Sequence, residues 1–195
     1  MTKVYKVNEI FYSLQGEGAN AGTPAIFVRF AGCNLRCPFC DTVHEAAQAM
    51  SCADIIAAVS QWDATLVVLT GGEPTLQATP QLINALHEAG RTVAIETNGT
   101  RPVPAGCDWV TLSPKTDVCP GAAPILTECD ELKIVFQGEV VPTYTDIRAK
   151  YRFLQPCDTG DSERNASLRD AAVRYCLAHP QWRLSVQLHK ILNIP

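Results

Sequence analysis

The sequence predicts an α/β chain, an incomplete TIM-like barrel of about six parallel strands with reduced helices. Three observations predict it. Apolar runs of strand length recur along all 195 residues, amphipathic stretches separate several of them, and no Pro-, Gly- or Ser-rich linker divides the chain. Alternating strand and helix impose a parallel sheet with right-handed crossovers. A chain of 195 residues is too short for eight complete strand–helix units, so residues 1–195 are read as one domain. The hydrophobic share of 47 % against 18 % charged residues excludes a disordered chain and a highly charged helical rod.

The elements follow in order. PAIFVRFAG at 24–32 is rich in Ile, Phe and Val and predicts a strand, followed by a glycine–cysteine loop. Residues 51–62 predict a helix: Ser51 with Asp54 forms a capping-box pattern, and Ile55, Ile56, Val59 and Trp62 share a face. TLVVLT at 65–70 is a continuous apolar run of the doubly buried kind. Thr79-Pro80 opens a second helix with Leu82, Ile83 and Leu86 inward and Gly90 as its stop. Further strands are predicted at 92–97, 108–113, 131–136, 152–155 and 183–188, a short helix after Pro142, and a longer one at 165–178 with Leu168, Ala172, Val173 and Cys176 on one side. The segment between 113 and 131 carries too much Pro and Gly for a regular helix. A ligand is expected beyond the carboxyl ends of the strands, as in barrels and open α/β sheets alike.

Sixteen basic against 20 acidic residues leave a net charge of −4, which argues against nucleic-acid or acidic-membrane partners. No apolar run reaches the roughly 18 residues of a spanning helix, and MTKVYKVNEI lacks the apolar centre of a signal peptide. Nine cysteines, an odd number, exclude complete disulfide pairing. A cytoplasmic protein with reduced, buried or metal-bound thiols is the expectation.

The strand ends carry the chemistry. Cys33-Asn-Leu-Arg-Cys37-Pro-Phe-Cys40 follows the first strong strand with C-x3-C-x2-C spacing. Three thiolates on one loop can hold three irons of a [4Fe–4S] cluster, leaving the fourth open. A zinc site closed by His44, or inert buried thiols, are the alternatives on spacing alone. Thr70-Gly71-Gly72-Glu73-Pro74 ends the next strand, where glycines let backbone approach a ligand. Glu96-Thr97-Asn98-Gly99-Thr100, Ser113-Pro114-Lys115 and Gln155-Pro156 end three later strands.

CNLRCPFCDT, with Phe39 before the last cysteine, resembles the signature of the radical S-adenosylmethionine (radical SAM) enzymes. The resemblance implies a radical-SAM-type partial barrel and a cluster on Cys33, Cys37 and Cys40. The open iron would take the amino and carboxylate groups of SAM, whose reductive cleavage gives a 5′-deoxyadenosyl radical. It also implies that the Gly72-Glu73 turn binds SAM's amino group. Phe39, Cys40, Asp41, Ser113, Pro114, Lys115, Gln155 and Pro156 would complete the SAM site, and no side chain is singled out as catalytic because cluster and SAM carry the chemistry.

Residues 9–18 (EIFYSLQGEG), 23–30 (TPAIFVRF), Cys-Asp-Thr at 40–42, the Ser-Pro-Lys turn and FLQP at 153–156 are similar, over nearly the whole chain, to the 7-carboxy-7-deazaguanine synthases of queuosine biosynthesis. That resemblance implies conversion of 6-carboxy-5,6,7,8-tetrahydropterin to 7-carboxy-7-deazaguanine: hydrogen abstraction at C6, ring contraction, loss of ammonia, and SAM reformed. Leu14, Gln15, Gly16, Thr70 and Pro195 would line the pterin, Arg29 would pair with its carboxylate, and Thr42 would place its hydroxyl on Mg²⁺. A flavodoxin or ferredoxin donor and a homodimer are implied likewise. Read from the residues alone, Arg29 could instead answer a structural carboxylate such as Glu96 or Glu131, and Thr42 could cap a helix. The rival readings are an activating enzyme that places a glycyl radical on a protein, and a non-catalytic zinc or iron–sulfur module.

Overall fold

The apolar runs fold into adjacent strands because most of them are covered on both faces, which suits the β-branched and aromatic residues they carry. The computed structural model describes residues 3–42, 46–138, 141–142 and 144–195; His44, the residue considered as a zinc ligand, lies outside them. In chain order the elements are β1 (Val4–Leu14), β2 (Pro24–Phe30), β3 (Gln48–Ser51), α1 (Cys52–Val59), β4 (Leu66–Gly71), α2 (Pro80–Glu88), β5 (Thr92–Thr97), β6 (Trp109–Leu112), β7 (Glu128–Phe136), β8 (Arg148–Pro156), α3 (Ser162–Ala178), β9 (Arg183–Leu184) and α4 (Leu188–Leu192). Among the described residues these strands form one nine-stranded sheet in the order β3-β1-β2-β4-β5-β6-β7-β8-β9. β1 is antiparallel to β2 and β3, and every pair from β2 to β9 is parallel. Six of the parallel strands are longer than two residues, so the partial barrel expected from the sequence is the observed architecture.

Strand alternation divides the sheet into two faces. Ile26, Val28 and Phe30 of β2, with Val67, Leu69, Val93 and Ile95, pack outward against Ile55 and Val59 of α1 and Leu82, Ile83 and Leu86 of α2. Leu132, Ile134, Phe136 and Leu154 do the same against Leu168 and Ala172 of α3. The other face is apolar at the amino ends, where Phe27, Val68 and Ala94 meet, and polar at the carboxyl ends. There the register lays Arg29 beside Thr70, and Glu96, Thr111 and Glu131 in a row.

The helix signals act as read. Ser51 and Asp54 form the reciprocal capping box of α1. Thr79 caps α2 by accepting from the Leu82 amide while sharing a 2.8 Å hydrogen bond with the buried Tyr5 hydroxyl, and Gly90 follows at φ +76°. Thr79→Ala is expected to cost about 1–2 kcal/mol, because it removes the cap and strands the Tyr5 hydroxyl; urea unfolding measures it.

The structure departs from the sequence expectations at five points. β1 was not predicted as a strand: Lys6, Asn8 and Glu9 interrupt its apolar run, and a bulge between Val7 and Glu9 shifts its register. Its backbone is satisfied partly by the Gln77 side chain, which bonds both Lys6 N and Lys6 O. Short β3 also went unpredicted. The strand expected at 183–188 is only two residues long, since Leu188 N bonds Gly16 O and the chain turns into α4. Among the described residues no helix follows Pro142; Tyr144 is at φ +40° and β8 begins at Arg148. In α3, Val173 is 41 % exposed, and Ala171 and Tyr175 pack inward with Leu168, Ala172 and Cys176.

Candidate active site

The carboxyl ends of the parallel strands open into a cavity of about 460 Å³. Leu14, Gln15, Gly16, Arg29, Thr70 and Pro195 line it, as do Cys33, Cys37, Phe39, Cys40, Asp41 and Thr42 of the cysteine loop. Gly72, Glu73, Ser113, Lys115, Gln155 and Pro156 line it too. Pro114 is buried behind its turn and is not part of the lining. The loops after β2, β4, β5, β6 and β8 meet at one mouth because parallel strands all end on the same side, while Leu14, at the end of antiparallel β1, and Pro195, beyond α4, join them from outside that set.

The cysteine loop and the glycine turn are stitched together by backbone. Gly72 N bonds Phe30 O and Glu73 N bonds Gly32 O, both at 3.0 Å. A Cβ on Gly72 would collide with the Gly32 carbonyl oxygen, so this approach requires glycine. Gly72→Ala is expected to push the two loops apart and weaken SAM binding at least tenfold by equilibrium dialysis, with circular dichroism showing the sheet intact. Glu73 is 1 % exposed. Its carboxylate accepts from Thr75 N, Thr75 Oγ1 and Thr97 Oγ1 on one oxygen and from Asn98 N on the other. A carboxylate offers about four acceptor positions spread over its two oxygens, so Oε2 alone retains a free lone pair for a ligand amine. The Glu73 side chain therefore also ties the end of β4 to the end of β5.

The three loop thiols suit a cluster. Burial pushes Cys33 up and, with the adjacent Cys119, pushes Cys37 up to about 12. A bound metal would bring these two sulfurs to the thiolate form. Among the described residues no three His, Cys, Asp or Glu side chains are gathered tightly around one point.

The cavity floor is a polar network. Gln15 donates from Nε2 to Glu96 Oε1 at 3.0 Å and accepts from Glu17 N at 3.1 Å, which fixes its amide and leaves one N–H open. Thr70 Oγ1 donates to the other Glu96 oxygen. Lys133 makes an ion pair with Glu17 and stands 3.9 Å from Glu96. Burial alone would raise Glu17, but the Lys133 ammonium and the Gln187 amide hold its carboxyl down to about 2. Burial likewise opposes the charge on Lys133, and Glu17 and Glu96 overcome it, so its pKa is raised. Arg29 pairs with Glu9 across the β1–β2 ladder and lies 5.0 Å from the Phe11 ring centroid; neither Glu96 nor Glu131 is its partner. The Lys115 ammonium donates to Ser113 O and Ser113 Oγ at 2.7 Å, and burial lowers its pKa to about 8.

Several of these residues were not selected from the sequence. Lys133 stands inside ELKIVF, and a lysine on the inner face of a doubly covered strand was the readable signal. Gln187, His189 and Lys190 come from the turn into α4, which closes one side of the cavity. Lys190 bridges Asp41 at 3.0 Å and Asp158 at 2.8 Å, and His189 packs where a Cβ on Gly16 would be.

A partial α/β barrel with three loop cysteines and a Gly-Gly-Glu turn at its carboxyl mouth is the architecture of a radical SAM enzyme, and the model of the radical SAM superfamily matches residues 27–117. Enzymes of this class work with a [4Fe–4S] cluster and SAM. A 7-carboxy-7-deazaguanine synthase of Bacteroides thetaiotaomicron is 52 % identical, with 97 % of this chain and 98 % of that protein covered. One from Caulobacter vibrioides is 45 % identical, covering 98 % and 99 %. The crystal structure of QueE from Escherichia coli aligns with a TM-score of 0.76 at 29 % identity over 95 % of both chains. The chain belongs to the 7-carboxy-7-deazaguanine synthase family.

Proposed function

We propose that this chain converts 6-carboxy-5,6,7,8-tetrahydropterin to 7-carboxy-7-deazaguanine with loss of ammonia, a carbon–nitrogen lyase reaction. The observation that carries the reading is the single cavity that gathers the cysteine loop, the Gly72-Glu73 turn, the Leu14-Gln15-Gly16 segment and Arg29. Bound at that mouth, cluster and SAM supply the radical that starts the chemistry. Gln15 presents its remaining amide N–H to the heterocycle edge, with Leu14 and Thr70 beside it. Arg29 has five N–H donors and uses one on Glu9, so its fork can also take the substrate carboxylate. Lys115 keeps one N–H beyond its two bonds to Ser113, and Glu73 Oε2 keeps its acceptor, for the carboxylate and amine of SAM. Thr42, which lines the same cavity, would offer its hydroxyl to Mg²⁺, a cation that takes oxygen ligands and would polarise the substrate carboxylate.

The protein works as one domain in the cytoplasm, as a homodimer, with a flavodoxin or ferredoxin as reductant. No described helix is long and apolar enough to cross a membrane. Anaerobic incubation with the carboxylated pterin, SAM, Mg²⁺ and a reductant should yield the deazaguanine and one ammonia per product, with SAM not consumed. Chelating the Mg²⁺ should lower the rate at least tenfold. Radical formation without ammonia release would favour a glycyl-radical activating enzyme, and purified protein with zinc and no sulfide would sink the radical reading.

A further inference from the structure

We infer that Cys119 is a redox partner of Cys37, the two forming a reversible disulfide when the cluster is lost to oxidants. Cys119 Sγ lies 3.5 Å from Cys37 Sγ, although 82 residues separate them in the chain. The other loop thiols are turned elsewhere: Cys33 Sγ accepts from Leu35 N at 3.4 Å and Cys40 Sγ faces Thr42 O at 3.8 Å. Cys119 is placed by its own turn, which bonds Cys119 N to Lys115 O at 2.9 Å and Ala122 N to Cys119 O at 3.1 Å. Because that turn also presents Lys115, the thiol is positioned by the same element that builds the cavity wall. Closing the pair to a disulfide of about 2.05 Å requires the sulfurs to approach by about 1.5 Å.

Burial differs between the two partners in the sense such a pair needs. Cys37 is half-buried at the cavity rim, whereas Cys119 is 6 % exposed. Loss of iron would release Cys37 as a thiolate, and peroxide reaching the rim at that moment oxidises the sulfur to a sulfenic acid, a proton from solvent completing the water released. The Cys119 sulfur then attacks it, forming the S–S bond and releasing a second water. In sum two thiols and one hydrogen peroxide give one disulfide and two waters. The linkage stops Cys37 from passing to the irreversible sulfinic acid, and a dithiol reductant restores both thiols for cluster assembly. A cluster ligand and a disulfide half cannot coexist at Cys37, so the pair marks the cluster-free state.

This inference rests on the reading of Cys37 as a cluster ligand, and the two are tested separately. Iron and sulfide are first measured on the full-length holoenzyme prepared without oxygen; absence of sulfide would defeat the cluster reading and leave the linkage still measurable. The holoenzyme is then treated with hydrogen peroxide in the presence of an iron chelator, alkylated, digested and mapped by mass spectrometry. The expected result is a Cys37–Cys119 linkage in most chains, leaving seven of the nine thiols alkylated (nine less two). Reduction followed by iron and sulfide should restore the visible absorption. In Cys119→Ser the same treatment should leave Cys37 as sulfinic acid and lower the recovered absorption several-fold. A linkage of Cys37 to Cys33 or Cys40, nine alkylated thiols, or equal recovery in Cys119→Ser would each overturn the inference.

Discussion

Lys133→Met is expected to destabilise the protein by about 3–5 kcal/mol, because it leaves the Glu17 carboxylate buried without its cation. The side chains of Lys133 and Glu17 are only 6 % and 15 % exposed, so solvent does not rescue the charge. The pH dependence identifies the cause. Glu17 is held near 2, below its ordinary 4.5, so its contribution is complete above about 4.5 and is lost as pH falls towards 2. Lys133 is raised, so its contribution is complete below its ordinary 10.5 and is lost only as pH rises through the folded value. The full effect therefore spans roughly pH 5 to 10, and urea unfolding should show the gap between wild type and variant narrowing below pH 4.5. Glu17→Gln in the Lys133→Met background should recover part of the loss by removing the orphaned charge. A gap independent of pH would assign the loss to packing instead. Activity should fall in parallel, since Glu17 also accepts from Gln187 of the segment that closes the cavity.

Cys37→Ser should abolish the brown cluster absorption and reduce product formation below detection. A serine hydroxyl is a far weaker iron ligand than a thiolate, and the loop has three cysteines for three irons with no fourth in reserve. Because Cys119 lies 3.5 Å from Cys37, the double variant Cys37→Ser/Cys119→Ser is measured beside the single variant to exclude a substitute thiol at that position. Cys37 sits on a loop outside the apolar clusters, so thermal unfolding of the iron-free protein should shift by no more than a few degrees. Cys52→Ser is the control: Cys52 opens α1 and packs against the apolar cluster, outside the cavity lining, and its variant should keep iron and sulfide. Retained absorption or product in correctly folded Cys37→Ser would defeat the cluster assignment.

How much of this was legible varies with the range of the forces. β5 was read to the residue and α1 and α2 to within a few positions at their ends, because their caps, stops and apolar spacing are set by neighbours in the chain. β1 escaped because its polar positions are answered from afar, Asn8 by Ala46 O and Glu9 by Arg29, and its backbone at Lys6 by Gln77, 71 residues away. α4 escaped because its five residues carry too few apolar positions to show a period, and its anchors are Gly16, Asp41 and Asp158. The same holds in the site. The cysteine spacing and the glycine turn announce their chemistry locally, whereas Arg29 could be read only as needing a carboxylate. The ladder between β1 and β2 decides that the carboxylate is Glu9.

By itself the sequence determined the α/β class, the count of full-length parallel strands, the loop that holds three thiols and the turns that meet a ligand. These follow from local propensity and from the rule that parallel strands end on one side. Only the tertiary structure decided which charges face each other beneath the cavity, that Glu73 spends three of its four bonds on a single oxygen, and that Cys119 comes to rest against Cys37. Those pairings depend on register and sheet curvature, which bring together residues tens of positions apart and have no periodic signature along the chain.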